Sequence, residues 1–525
     1  MPKTIPRIET GVPRLDFLLN GGFFQGGVYI IQGQPGMGKT ILANQCCYHR
    51  AKCGEISVYI SILAETTGRM TGYLSALDFV DQDAIGKTVH YVSGYQQLKE
   101  KKLSEFKEFV RSVIKEHKAQ FLVIDGLDVI KTVCQSEVEY REFLHSLQSH
   151  ATLLKCTTLL LKPTGSNVEL TYLEHALSDG VIDIIEWRDG ARAVREIQIL
   201  KMRGSNYLKG GHEVEITSNG FIIHPRTEVQ FGRPSEGDPL ENRVRMPFGV
   251  PQLDAMLHGG LLSGSLTTLF GTPGTGKTSL GLSFLIEGAS KGEQGIYFGF
   301  YEAPPRLVEK ATSLGLDLKK YVDKGLIELQ WQASVENIAD SLAERLLEGI
   351  RENRKKNAKV RVFIDGMSGF RRSMAYPERF GSFMAALSNE LRNIHATTLF
   401  SEEAEFFSSN PEFPNRELGS VVDNVIFLRY FELHSKIHRL ISILKMRDSS
   451  YESEIREFII TEQGLVISHT FASAEALLTG HPRINNQQIT PVVDTSTISK
   501  NRINNKASAK QKVARSKPVQ RVKKK

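Results

Sequence analysis

Short, almost uninterrupted apolar runs alternate with longer amphipathic stretches over most of this chain, and that alternation predicts its architecture. Val28 to Ile31, Ile56 to Leu63 and Phe121 to Ile124 have the length and β-branched content of buried strands; Leu266 to Phe270 and Val362 to Ile364 repeat the pattern later. Helix-compatible segments follow from Ile41 and from Ser279. From Lys99 to Lys118, Leu103, Phe106, Phe109, Val110 and Val113 recur at helical spacing, which predicts one amphipathic helix with a solvated charged face. Strands alternating with helices read as an α/β fold, each domain a mostly parallel twisted sheet flanked by helices.

The pattern occurs twice. Gly11-Val12-Pro13-x-Leu15-Asp16 recurs as Gly249-Val250-Pro251-x-Leu253-Asp254, and Gly21-Gly22 as Gly259-Gly260, all at an offset of 238. With 525 residues the chain suits two homologous domains, 4–242 and 243–484. Pro225 to Met246, rich in proline, glycine and charge, is expected to be the interdomain linker. Apolar residues thin out after about Asn485, so 485–525 is expected to be a disordered basic tail.

Charge sharpens this division. Eleven Lys or Arg and no acid lie between Lys500 and Lys525, so of a net +7 the remainder of the chain carries −4. Nucleic acid is therefore not an expected partner of the body, except nonspecifically through the tail. No run of 18 apolar residues is present and the first residues lack a secretory apolar core, so no membrane partner and a cytoplasmic location are expected. The five cysteines lack zinc-ligand spacing and read as reduced, mostly buried thiols.

The chemistry centres on two glycine-rich loops, GQPGMGKT from Gly33 to Thr40 and GTPGTGKT from Gly271 to Thr278. Both satisfy G-x-x-x-x-G-K-[ST], whose glycines let backbone N–H groups turn inward around phosphate oxygens. Gly36, Met37, Gly38, Lys39, Thr40 and Ile41, and Gly274, Thr275, Gly276, Lys277, Thr278 and Ser279, are the candidate ATP contacts. Lys39 and Lys277 place charge near the β/γ-phosphates and are catalytic candidates as well. Each apolar run Phe121 to Ile124 and Val362 to Ile364 ends in an aspartate, Asp125 or Asp365. With Thr40 and Thr278, these are the expected Mg²⁺ positions.

Two later blocks recur at an offset of 244, Lys201-Met202-Arg203 and Lys445-Met446-Arg447, each closing an apolar run. On a strand, residues two apart share a side, so the lysine and arginine project together while the methionine faces away. Paired cations at a strand end point to an anion.

These residues carry a resemblance to a known family. From about residue 5 to 484 the chain resembles the KaiC family, the two-domain RecA-like ATPases of the cyanobacterial clock and their relatives. The resemblance rests on the doubled G-V-P-x-L-D start, both phosphate loops, two Ile-Asp-Gly strand ends, two Lys-Met-Arg blocks and Leu477-Leu478-x-Gly480-x-Pro482. It implies a homohexameric two-tiered ring with ATP at subunit interfaces, Lys201 and Arg203 serving the first ring and Lys445 and Arg447 the second, in trans. It also implies Met202, Met446 and Ser449 as ATP contacts, and an unidentified signalling protein as partner.

Departures from the family pattern matter. The family places two adjacent glutamates after the second strand, the first of which orients water. This chain keeps one in each half, Glu302 at the position of the usual base and Glu65 one residue along, where a strand end would reverse its direction. The family's autophosphorylated pair falls on Gly419-Ser420, leaving Ser420 as the one candidate acceptor for a Ser/Thr autokinase activity. Leu314 stands where the family has a tryptophan, and the tail has no recognisable segment for the activator KaiA. Two other readings are a RecA-type DNA-dependent ATPase and a scaffold assembled by ATP with negligible turnover.

Overall fold

The structure, a computed structural model, describes residues 5–62, 67–100, 103–164, 168–232, 243–333, 337–357, 359–403, 416–433 and 436–468. The expected tail 485–525, Leu477-Leu478-x-Gly480-x-Pro482 and Glu65 lie outside them. Both sheets belong to one compact unit, Met1–Ser473.

The first sheet is built from β1 (Val28–Gly33), β2 (Ser57–Ser61), β3 (Val89–Ser93), β4 (Phe121–Asp125), β5 (Thr157–Lys162), β6 (Gly180–Asp189), β7 (Arg192–Met202), β8 (His212–Thr217) and β9 (Gly220–His224). The second comprises β10 (Leu266–Gly271), β11 (Gln294–Gly299), β12 (Ile327–Trp331), β13 (Val360–Asp365), β14 (Thr397–Glu403), β15 (Asn424–Leu433), β16 (Lys436–Met446), β17 (Arg456–Thr461) and β18 (Gly464–Ile467). Their orders, β3-β2-β4-β5-β1-β6-β7-β8-β9 and β12-β11-β13-β14-β10-β15-β16-β17-β18, are the same order twice. Strands from β3 to β6, and from β12 to β15, run parallel, so their C-terminal ends share one edge, and the remaining strands continue antiparallel.

Strand alternation distributes each sheet between two cores. Tyr29 and Ile31 join a cluster with Leu42, Tyr59 and Val123, whereas Val28 and Ile30 face Ile60, Phe106, Leu122 and Phe143. Burial on both faces explains why the parallel strands read as continuous apolar runs. Among the described residues no helix is long and apolar enough to cross a membrane.

Two expectations need correction. The helices after the loops begin at Lys39 and Lys277, two residues earlier than the apolar pattern indicates, because Gly38 and Gly276 supply left-handed starts. Leu103–His117 is a helix, as the spacing predicts, and Lys101 and Lys102 lie outside the described residues. The linker is structured at both ends. Thr227–Phe231 is a helix whose first residue donates twice to the buried Asp340 of the second domain, and Arg245–Met246 pairs with Leu261–Leu262. A buried carboxylate needs donors, and Thr227 supplies two at 2.8 Å.

Candidate functional site

Each phosphate loop leaves the C-terminal end of the central strand of its sheet, β1 or β10, and turns directly into a helix. Gly38 and Gly276 adopt φ of 92° and 103°. Space forbids a side chain at both: a Cβ on Gly38 would meet Ile216 at 2.5 Å, and one on Gly276 would meet Phe458 at 2.7 Å. The antiparallel strands β8, β9 and β17 thus press on the loops and hold their shape. Lys39 Nζ donates to the carbonyls of Gly33 and Gln34 at 2.7 and 2.9 Å, and Lys277 Nζ to those of Gly271 and Thr272 at the same distances. Burial lowers the pKa of both lysines. Gly36 and Gly274 also take positive φ, Thr40 and Ile41 sit in the first turn of the helix, and Ser279 lines the second site. Met37 and Thr275 turn their side chains inward.

The aspartates lie beside the loop threonines. Thr278 Oγ1 donates to Asp365 Oδ2 at 3.0 Å, and Thr40 lies close enough to Asp125 to lower that carboxyl's pKa. A hydroxyl and a carboxylate so placed are hard oxygen donors of the kind Mg²⁺ takes while keeping most of its waters, so these residues fit that ion. Burial pushes both aspartates' pKa values up. Sequence reading missed three partners. Tyr59 OH donates to Asp125 at 2.5 Å and Tyr297 OH to Asp365 at 3.0 Å. Their shared offset of 238 was the available signal. Ser401 Oγ donates to Asp365 Oδ1 at 2.7 Å; Leu161 occupies the corresponding place in the first sheet, so nothing repeated there to be noticed.

A cavity of about 550 Å³ opens over the second loop, lined by Lys277, Thr278, Glu302, Leu314, Asp365 and Glu403 among others. Glu302 lies three residues beyond the end of β11, in a bend, and its Oε1 is 2.5 Å from Lys310 Nζ. Strand alternation therefore does not set its direction, contrary to the expectation. Arg439 of β16 also reaches this loop, donating from Nε to the Gly274 carbonyl at 3.4 Å.

The Lys-Met-Arg blocks are not brought to the loops of their own domains. Lys201 pairs with Val181, which pairs with Ile30, so the block sits beside the N-terminal half of β1, away from the loop at that strand's other end; Lys445, Val425 and Thr268 repeat this in β16, β15 and β10. Lysine and arginine do project together while Met202 is buried. Lys201 Nζ donates to the carbonyls of His175, Ala176 and Ser178, and Arg203 to that of Ala176 at 3.0 Å, at the end of the helix Val168–Leu177. Lys445 likewise takes the carbonyls of Gly419 and Val422, and Arg447 that of Ser420, at the end of the helix Arg416–Val421. Cations at a helix C-terminus meet its negative end. Ser420 is exposed in that last helical turn. Ser449 accepts from Arg245 at 2.7 Å.

The sequence profile of the family described as ATPase: KaiC matches residues 8–228 and 246–471. The chain belongs to the KaiC ATPase family. Among its KaiC relatives, the circadian clock oscillator protein KaiC of Parathermosynechococcus lividus is 26% identical over 92% of this chain and 89% of its own length. The protein of the same name from Picosynechococcus is 26% identical over 91% and 93% of the two chains. The circadian clock protein KaiC3 of Synechocystis is 26% identical over 91% and 95%. KaiC membership accounts for the doubled RecA-like sheets and both P-loops as one inherited plan.

Proposed function

We propose that this protein is a Mg·ATP-dependent ATPase that works as a homohexameric ring, each site completed by a neighbouring copy. The observation that carries this reading is the register of the Lys-Met-Arg blocks. At about 3.3 Å of rise per residue, three strand residues and the loop beyond them separate Lys201 or Lys445 from the phosphates its own domain would hold. A neighbour's loop is the place these cations can serve. Arg203 and Arg447 then act as fingers in trans, Thr40 with Asp125 and Thr278 with Asp365 hold Mg²⁺, and Glu302 supports water activation in the second domain. Ser420, beside the Lys445 and Arg447 contacts, faces the same neighbour and is the acceptor for autophosphorylation. The relatives' names, circadian clock proteins, support a timing output.

Complementation between two defective chains tests this. Lys39→Ala/Lys277→Ala removes the loops' lysines, and Arg203→Ala/Arg447→Ala removes the fingers. An arginine finger is worth on the order of 10³ to 10⁵ in rate, so each chain alone should release almost no phosphate. Mixed rings, verified by native mass spectrometry, should recover activity, because some interfaces pair an intact loop with an intact finger. Co-assembly without recovery would defeat the trans reading. Mass spectrometry of the wild-type incubation reads Ser420 phosphorylation directly.

A further inference from the structure

The end of β14 differs between the two domains in a way the shared plan does not explain. This strand lies between β10, which feeds the phosphate loop, and β13, which ends in Asp365. Its last residues are Ser401, Glu402 and Glu403; the corresponding residues of the first domain, at an offset of 240, are Leu161, Lys162 and Pro163. Glu403 pairs in register with Gly271, the first residue of the loop. Ser401, two residues earlier and on the same side of the strand, bonds Asp365. Glu403 thus faces the Thr278 and Asp365 side of the strand, and it lines the cavity there.

Two observations separate it from Glu302. Glu302 is neutralised by Lys310 at 2.5 Å, whereas among the described residues no cation lies within ion-pair distance of Glu403. Burial lowers the Lys277 pKa, and Glu403 opposes that more than Asp365 or Glu402 does, which places its carboxylate beside the loop lysine. At the corresponding position of the first domain no such group exists. Pro163 has no carboxylate, and Lys162 is buried against Glu174, which Tyr140 also bonds.

We propose that Glu403 is a second catalytic carboxylate of the second domain, facing the water that attacks the γ-phosphate. Resting on the ATPase reading above, the step is hydrolysis. The water oxygen bonds to the γ-phosphorus, the bond from that phosphorus to the β–γ bridging oxygen breaks, and its electron pair leaves on ADP. The water proton passes to the Glu403 carboxylate and then to bulk water, giving ADP and phosphate. The two domains would then differ in chemistry, the second having at the end of β14 a carboxylate where the first has Pro163.

The test compares full-length wild type, Lys277→Ala, Glu403→Gln and Glu403→Asp in steady-state ATPase assays, with ATP binding per chain measured by equilibrium dialysis. The turnover lost in Lys277→Ala defines the second domain's share. Glu403→Gln should remove at least nine-tenths of that share, with KM within threefold of wild type and two ATP still bound per chain, and Glu403→Asp should fall between. A Glu403→Gln share within twofold of wild type would overturn the proposal, as would a loss confined to KM or accompanied by loss of binding, which marks a role in holding the loop. If Lys277→Ala leaves turnover and binding unchanged, the ATPase reading of this domain fails, and the proposal with it.

Discussion

Asp365 and Asp125 perform the same task with different support. Asp365 receives Thr278, Tyr297 and Ser401, whereas Asp125 has Tyr59 and Thr40, with Leu161 in place of the serine. A hydrogen bond to a charged group is worth about 1.5–3 kcal/mol, and a carboxylate that keeps another donor loses less when one is removed. Tyr59→Phe should therefore weaken Mg·ATP binding to the first domain more than Tyr297→Phe weakens it in the second. Magnesium titrations of nucleotide affinity in single-site chains, with Lys277→Ala or Lys39→Ala silencing the other site, measure both; equal losses would show that Ser401 does not share the load. Sequence reading found the loops and aspartates because their spacing is set by chemistry and occurs twice. It missed the tyrosines because an apolar strand with one tyrosine looks like core, and Ser401 because it has no counterpart.

At the scale of elements, the duplicated domains solve one packing problem by opposite routes. In the first, Arg50 on the loop helix donates to Glu55 at 2.9 Å and to the Glu9 carbonyl at 3.4 Å. In the second, Glu293 and the Pro247 carbonyl occupy the corresponding places, at the 238 offset, but the guanidinium comes from Arg361 on β13, at 2.6 Å from each. Gly288 stands where Arg50 would, and its absent Cβ makes room: an added one would meet Arg361 Nε at 2.3 Å. Phe121 fills the position of Arg361 in the first domain. Breaking a buried ion pair by removing one partner costs about 3–5 kcal/mol. Arg361→Phe should destabilise the second domain by about that amount, and adding Gly288→Arg should recover most of it by restoring the first domain's arrangement. Urea denaturation of the two variants checks this, and a double variant no better than the single one would refute the equivalence. Nothing in the linear pattern reveals the exchange, since the two arginines lie on different elements and at different offsets.

The whole molecule depends on a joint that the sequence presented as a linker. Its contacts join residues over a hundred positions apart, without periodicity, which is why composition alone misled. Asp340, fully buried, accepts from Thr227 and from Arg379, and Arg379 also grips Glu228 through two bonds of 2.9 Å. Arg192 reaches the Ser373 carbonyl, and Trp187 packs on Tyr376 at 5.2 Å. Buried His224 bridges the domains, 3.3 Å from Glu215 in β8 and 3.1 Å from Glu344 in the helix Ala339–Lys356, which also faces Arg14 and Gln230.

Three groups make this joint sensitive to pH. For His224, burial opposes the charge, but Glu215 and Glu344 more than offset it and push the pKa up to about 9. Its contribution is fully present below the ordinary value of 6.5 and is lost as pH rises through about 9; at 1.36 kcal/mol per unit the loss is about 3 kcal/mol. Burial also lowers His212 to about 4 and raises Glu213 to about 7. Between pH 4.5 and 6.5 these two act oppositely, because unfolding takes up a proton at His212 and releases one at Glu213. Up to about pH 7, Glu213 adds to the decline that His224 then carries alone. The joint should therefore hold a plateau in mild acid and weaken through mildly alkaline pH. His224→Gln, which keeps a hydrogen-bonding amide but no charge, should remove most of the alkaline decline. Thermal unfolding of wild type and variant across pH 5–9 isolates the histidine, since every other titrating group is common to both chains. Curves that stay parallel over that range would mean the bridge carries no net charge at neutrality, and that the carboxylates and arginines around it hold the domains together unaided.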